Sequence, residues 1–110
     1  MDNRSTQLLK GTLDMCLLAL LAQRPCYGYE MLQQLSQQGL DVVSEGSIYP
    51  LLSRLQQRGL IESYLVRSKE GPMRKYYRLL PAGERQLQDW EAEWEAFARA
   101  VEHILKGASE

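Results

Sequence analysis

Between Ser44 and Leu80 the chain carries two different patterns in direct succession. In Ser44-Glu45-Gly46-Ser47-Ile48-Tyr49-Pro50-Leu51-Leu52-Ser53-Arg54-Leu55 the apolar residues Ile48, Leu51, Leu52 and Leu55 share one face of a helix. The pattern stops at Gly59-Leu60-Ile61. Residues 61–66 and 74–79 are then rich in β-branched and aromatic side chains, and the turn residues Glu70-Gly71-Pro72 lie between them, so they read as two strands of a hairpin. A short helix followed at once by a basic hairpin is the outline of a winged helix-turn-helix. Such a module lays its helix in a DNA major groove and its hairpin on the flanking backbone.

Charge is sorted along the chain in the same way. From Gly46 to Leu80 seven Lys/Arg stand against two Glu, a local charge of +5, although the whole chain has a formal charge of −1. Residues 1–45 carry −2 and residues 81–110 carry −4. Phosphates respond to the local field, because charges beyond about 8 Å are largely screened at physiological salt. The central segment is therefore able to hold DNA despite an acidic tail. At 110 residues, with 45% apolar and 25% charged side chains, the composition is that of a soluble globular chain with one modest core.

On the N-terminal side, Leu9, Leu13, Cys16, Leu17, Leu20 and Leu21 predict a first helix over about residues 6–22. Gln23-Arg24-Pro25 ends it, since a proline disfavours helix at the residue before it. A second helix is expected over about residues 27–38, with Met31, Leu32 and Leu35 inward, and a third over about residues 46–58. The third starts between Ser44 and Ser47, either of which can cap its free N–H groups, with Pro50 in or close to the first turn. Gly39-Leu40 and Gly59-Leu60 close the second and third helices: the glycine takes the left-handed conformation and the leucine folds back over the last turn. Beyond Pro81, Leu87, Trp90, Trp94, Phe97, Val101 and Ile104 are spaced 3, 4, 3, 4 and 3, a heptad seam. The expected fold class is mainly α with a small β-hairpin wing (α+β). Residues 1–80 form the winged helix-turn-helix domain and residues 81–110 one long C-terminal dimerisation helix.

Candidate DNA contacts follow from this layout. Ser44 and Ser47 are small and polar at the N-terminal end of the third helix, which allows close approach to base edges and phosphates. Tyr49 offers a flat apolar ring and a hydroxyl, suited to a thymine methyl or a phosphate, and Ser53 and Arg54 lie on the same side away from the core. On the hairpin, Lys69, Arg74 and Lys75 are expected to gather around Gly71 together with Arg67 and Arg78. Such cations neutralise phosphates and add affinity without sequence information.

A domain of this size cannot bury Trp90, Trp94 and Phe97 and still leave the first three helices a core of their own. Leu87, Trp90, Trp94, Phe97, Val101 and Ile104 are therefore expected at the interface of a homodimer, which presents two recognition helices to a palindromic double-stranded operator. Packing of the tail on the first helix of the same chain is the alternative. Trp90 and Trp94, one turn apart near a dimer axis, either stack a planar aromatic small molecule or simply pack the interface. A rival reading makes the whole chain a protein-interaction module that uses the seam to bind another protein.

The parts of an enzyme are missing. His103 is the only histidine, and there is no glycine-rich phosphate loop, carboxylate cluster or Cys/His set to hold a metal or cofactor. Cys16 and Cys26 match neither a disulfide framework nor a metal spacing, so a reduced, cytoplasmic chain is expected; Cys26, beside Pro25, is the candidate if a thiol acts as a sensor. The apolar run from Leu17 to Ala22 falls far short of the ~20 residues of a membrane span, so no membrane partner is expected.

Four blocks carry a resemblance. They are Leu8-Leu9-Lys10-Gly11-Thr12-Leu13-Asp14; Pro25-Cys26-Tyr27-Gly28-Tyr29-Glu30; Gly46-Ser47-Ile48-Tyr49-Pro50 with Leu52, Arg54-Leu55 and Gly59-Leu60-Ile61; and Lys75-Tyr76-Tyr77-Arg78-Leu79 with Gly83. In this order they resemble the PadR family of bacterial transcriptional regulators over nearly the whole chain. The resemblance implies a homodimeric winged helix, usually a repressor, of the short subgroup whose single C-terminal helix forms much of the dimer interface. It also implies that a planar, often cationic drug could bind at the dimer centre and release the DNA, with Trp94 in the matching place and Trp90 beside it. Other members respond to phenolic acids, and many have no known effector. Family members usually carry Thr where Leu80 stands; Leu cannot cap a helix, which leaves Pro81 to start the tail helix.

Overall fold

The computed structural model describes residues 4–41 and 43–107. The outer ends of the two expected spans, residues 1–3 and 108–110, lie outside the described residues. In chain order the elements are α1 (Arg4–Lys10), α2 (Leu13–Gln23), β1 (Cys26–Tyr27), α3 (Gly28–Gln37), α4 (Glu45–Gln57), β2 (Ile61–Val66), β3 (Arg74–Leu79) and α5 (Pro81–Gly107). The strands form an antiparallel sheet of order β1-β3-β2, with Tyr64 and Tyr27 both opposite Tyr76 from the two sides.

One core joins these elements. Leu17 and Leu18 from α2, Met31 from α3, Ile48, Leu52 and Leu55 from α4, and Ile61 from β2 are closed to solvent. Tyr77 covers them from β3 and Leu87 from α5. Burying each aliphatic side chain of this kind contributes about 1.5–3 kcal/mol, and the result is that α4 is fixed by one face and open on the others. Both glycine closures have the geometry expected of them. Gly39 (φ 96°) and Gly59 (φ 75°) are left-handed, Leu40 N–H donates to the Leu35 carbonyl at 2.8 Å, and Leu60 N–H donates to the Leu55 carbonyl at 3.1 Å. The paired bonds from Gly39 to Ser36 and from Gly59 to Gln56 complete two Schellman motifs.

Three expectations need correction. The first helix is two helices, because Thr12 breaks the run: its N–H and its hydroxyl both donate to the Leu9 carbonyl, at 2.9 and 3.2 Å. A threonine hydroxyl that bonds locally competes with the helical ladder, yet the apolar spacing continues through the break. The sheet has a third strand, β1, whose two residues pair with Tyr76 and Tyr77. Pro50 lies just past the first turn of α4, within the range expected for it, and withholds a donor from the Gly46 carbonyl on the exposed side. Leu87, expected on the dimer seam, is 7% exposed and belongs to its own chain's core. α5 is thus no detached tail: its first turns pack on α2, as the alternative reading had it.

Candidate nucleic-acid interface

The interface candidate is built on the open side of α4. Ser44 holds the cap position, but its hydroxyl lies 3.3 Å from that of Ser47 and does not bond a helical N–H; the Ser47 and Ile48 N–H groups bond the Ser44 carbonyl instead, at 3.1 and 3.0 Å. Both serines are exposed. Successive helical residues turn by about 100°, so the residues that follow divide between two shoulders. Tyr49 and Ser53 face the wing, while Ser47 and Arg54 face α1.

Tyr49 is held in one place by what lies under it. A methyl group at position 28 would stand 2.5 Å from Tyr49 Cε1 and 2.7 Å from its hydroxyl oxygen, so the ring rests directly on the bare Gly28 at the start of α3. The ring is nevertheless 43% exposed. Between it and the sheet opens a cleft of about 420 Å³, with Ser53 and Gln56 from α4 on one wall and Tyr27, Arg74 and Lys75 on the other. Gly28 and Tyr77 complete it, and among the described residues that line it there is no carboxylate. Arg74 Nη1 donates to the Tyr27 hydroxyl at 3.2 Å, with its guanidinium 4.8 Å from that ring's centre, and Lys75 Nζ stands 5.8 Å from the centre of Tyr77. The two cations are therefore steered toward the cleft by aromatic faces. Burial first, and then the Glu45 carboxylate, push the Tyr49 phenol above its ordinary value; burial and then Tyr49 do the same for Tyr77. Both remain neutral hydroxyls at physiological pH.

The remaining cations are distributed less simply than their number suggests. Lys69 lies exposed at the hairpin tip, where the Ser68 hydroxyl donates to the Pro72 carbonyl at 2.9 Å and closes the loop. Arg78 does not join the group expected around Gly71. It pairs with Glu62 across the β2–β3 ladder and lies 5.1 Å over Tyr64. Tyr27, Gly28, Gln56 and Tyr77 were not singled out as contacts from the sequence. The one available signal was Gly28, a poor helix former at a helix start between two tyrosines.

The two cysteines stand apart from this surface. Cys26 is buried, with its thiol 3.4 Å from the Arg24 carbonyl and 3.7 Å from Gln34 Nε2, and burial pushes it up. Cys16 is pushed up by burial and by Asp14. A protonated, enclosed thiol is a poor sensor. No helix among the described residues is long and apolar enough to cross a membrane.

A helix fixed by one face, open on the other and flanked by a β-hairpin with a cationic cleft between them is the winged form of the helix-turn-helix, a DNA-binding class. Comparison with known proteins gives the family. The model of the transcriptional regulator PadR-like family matches residues 17–89. A PadR-like transcriptional regulator of Bacillus cereus is 43% identical, with a TM-score of 0.82 over 90% of this chain and 96% of that one. A PadR-like transcription factor of Bacteroides fragilis is 41% identical, with a TM-score of 0.76 over 94% and 99% of the two chains. A transcriptional regulator of Mycobacterium tuberculosis is 38% identical over 80 residues, 73% of each chain. The chain belongs to the PadR-like family of transcriptional regulators, which act by binding DNA and not as enzymes.

Proposed function

We propose that this chain is a homodimeric repressor that reads a palindromic operator with α4 in the major groove and the β2–β3 wing on the flanking backbone. The carboxylate-free cleft between Tyr49, Arg74 and Lys75 carries the reading, because it sets an aromatic from the helix and two cations from the wing on one exposed side. Ser44, Ser47, Tyr49 and Ser53 take base edges and adjacent phosphates. Arg74 and Lys75 take phosphates at the cleft, Lys69 takes one at the wing tip, and Arg54 takes one on the other shoulder of α4. Tyr49→Ala tests this with DNA from upstream of the protein's own gene in a band-shift assay. Affinity should fall about 10- to 100-fold, the scale of a lost specific contact, with the dimer intact by light scattering. Unchanged affinity would remove Tyr49 from the interface.

The second half of α5 supports the dimer. From Glu91 to Gly107 it is exposed throughout apart from half-buried Ala98, including Trp94 (44% exposed), Phe97 (65%), Ile104 (72%) and Val101. A contiguous apolar stripe of this kind calls for a partner, and a second copy supplies the same stripe. Trp90 lies at its edge, half-buried beneath the Arg58 guanidinium at 5.6 Å.

In this reading a planar aromatic effector stacks at the dimer centre on Trp94, which has Phe97 6.5 Å away, with Trp90 at the rim. α5 leads directly out of β3, β3 pairs with β2, and β2 packs on α4, so a ligand that moves the two α5 helices acts on the two α4 helices through the sheet. Flat aromatic cations should quench the fluorescence of the wild type and lose most of that effect in Trp94→Phe. A panel without quenching would leave a regulator that works without such an effector.

A further inference from the structure

The other shoulder of α4 has a cleft of its own, about 550 Å³ between α1 and α4, within the ~300–1,000 Å³ range of small-molecule sites. Its floor is hydrocarbon: Leu9, Leu13 and Leu55 are largely buried and Leu51 is half-buried. Lys10, Arg54 and Arg58 stand along its rim. The acid among its lining residues, Asp14, accepts the Met15 N–H at 2.8 Å in the first turn of α2, where the helix terminus offsets its charge. An apolar floor under a cationic rim is complementary to a molecule with a hydrocarbon body and one terminal carboxylate, and a guanidinium fork matches that carboxylate in shape.

We propose that this cleft binds an amphipathic monocarboxylate, with its chain over Leu13 and Leu51 and its carboxylate on Arg54 and Arg58, and that occupancy weakens DNA binding by drawing Arg54 off the backbone. The regulatory half rests on the DNA reading above; the binding half does not. The site is separate from Trp94 and opposite to it in ligand charge. It also contains its own reporter: Arg58 lies over Trp90, so a carboxylate that draws the guanidinium away changes the emission of that indole.

Decanoate is the probe, with decanol and decyltrimethylammonium as matched chains lacking the negative charge. Calorimetry on the full chain should show saturable binding of one decanoate per protomer and binding of decanol about tenfold weaker, with none of the cation at this site. In Trp94→Phe, which leaves Trp90 as the sole indole, decanoate should shift the emission. Arg58→Gln should lower decanoate affinity about tenfold, and Arg58→Lys should restore part of it. Band shifts should show decanoate weakening DNA binding in the wild type, with that response reduced in Arg58→Gln relative to its own ligand-free value. Equal affinity for decanoate and decanol, or in wild type and Arg58→Gln, would overturn the site as mere apolar adsorption. A cleft that takes no decanoate, with Arg58→Gln shifting the monomer–dimer balance, would assign it to the second copy instead. Tight decanoate binding with unchanged DNA affinity would overturn the regulatory half alone, whereas failure of the DNA reading would show first in Tyr49→Ala.

Discussion

Tyr49 owes its position to the absence of a side chain at Gly28, and Arg74 owes its position to Tyr27, 47 residues earlier in the chain. Contacts of that range decide what each charge on the wing is able to do. Lys75 has an aromatic neighbour and, among the described residues, no ion pair, whereas Arg78 pairs with Glu62. Lys75→Ala should therefore weaken binding to all DNA sequences alike and reduce the slope of log affinity against log salt by about 1. Arg78→Ala should change that slope much less, because its charge is already offset. Equal slopes for the two variants would show that the ion pair opens on DNA. The exposure of Ser47, Tyr49 and Ser53 was legible in the sequence, since a helix with a defined apolar face also defines its open side. The places of Gly28, Tyr27 and Tyr77 were not, because they arise where α3, β1 and β3 meet α4.

At the scale of elements, several local closures were readable. Both Gly-Leu closures, the β2–β3 hairpin and the start of α5 at Pro81 follow from neighbours within a few residues. β1 did not, because a two-residue strand has no period to detect and exists through its pairing with β3. The division of α1 from α2 turns on one hydroxyl, that of Thr12. Another close approach fixes α5: a methyl group at Gly83 would stand 2.1 Å from the Leu60 carbonyl oxygen and 2.6 Å from Leu79 Cδ1. That carbonyl also accepts the Leu80 N–H at 3.0 Å, so the backbone there has little room to yield. Gly83→Ala should cost at least about 2 kcal/mol in urea unfolding. Gly11→Ala, which meets nothing within 4 Å, should stay within about 0.5 kcal/mol of wild type. Similar losses for the two would mean that α5 does not depend on this approach.

The whole molecule is elongated, 59 Å in its longest dimension, because the 27-residue α5 continues past the body it helps to close. Its heptad pattern divides in two: Leu87 closes the chain's own core, and Trp94, Phe97, Val101 and Ile104 are exposed beyond it. Spacing alone did not separate these halves, since the same seven-residue rhythm runs through both. The acidic tail and the cationic cleft lie in different parts of the structure, which is how a chain of net charge −1 presents a basic face to DNA. The most direct test of a paired DNA reader is a hydroxyl-radical footprint on the upstream DNA, with wild type and Phe97→Glu side by side. Wild type should protect two patches on one face of the duplex, centred about 34–36 Å apart. Phe97→Glu, with a charge in the apolar stripe, should lose the paired pattern at equal protein concentration. A single protected patch from wild type, or the same paired footprint from the variant, would contradict the account.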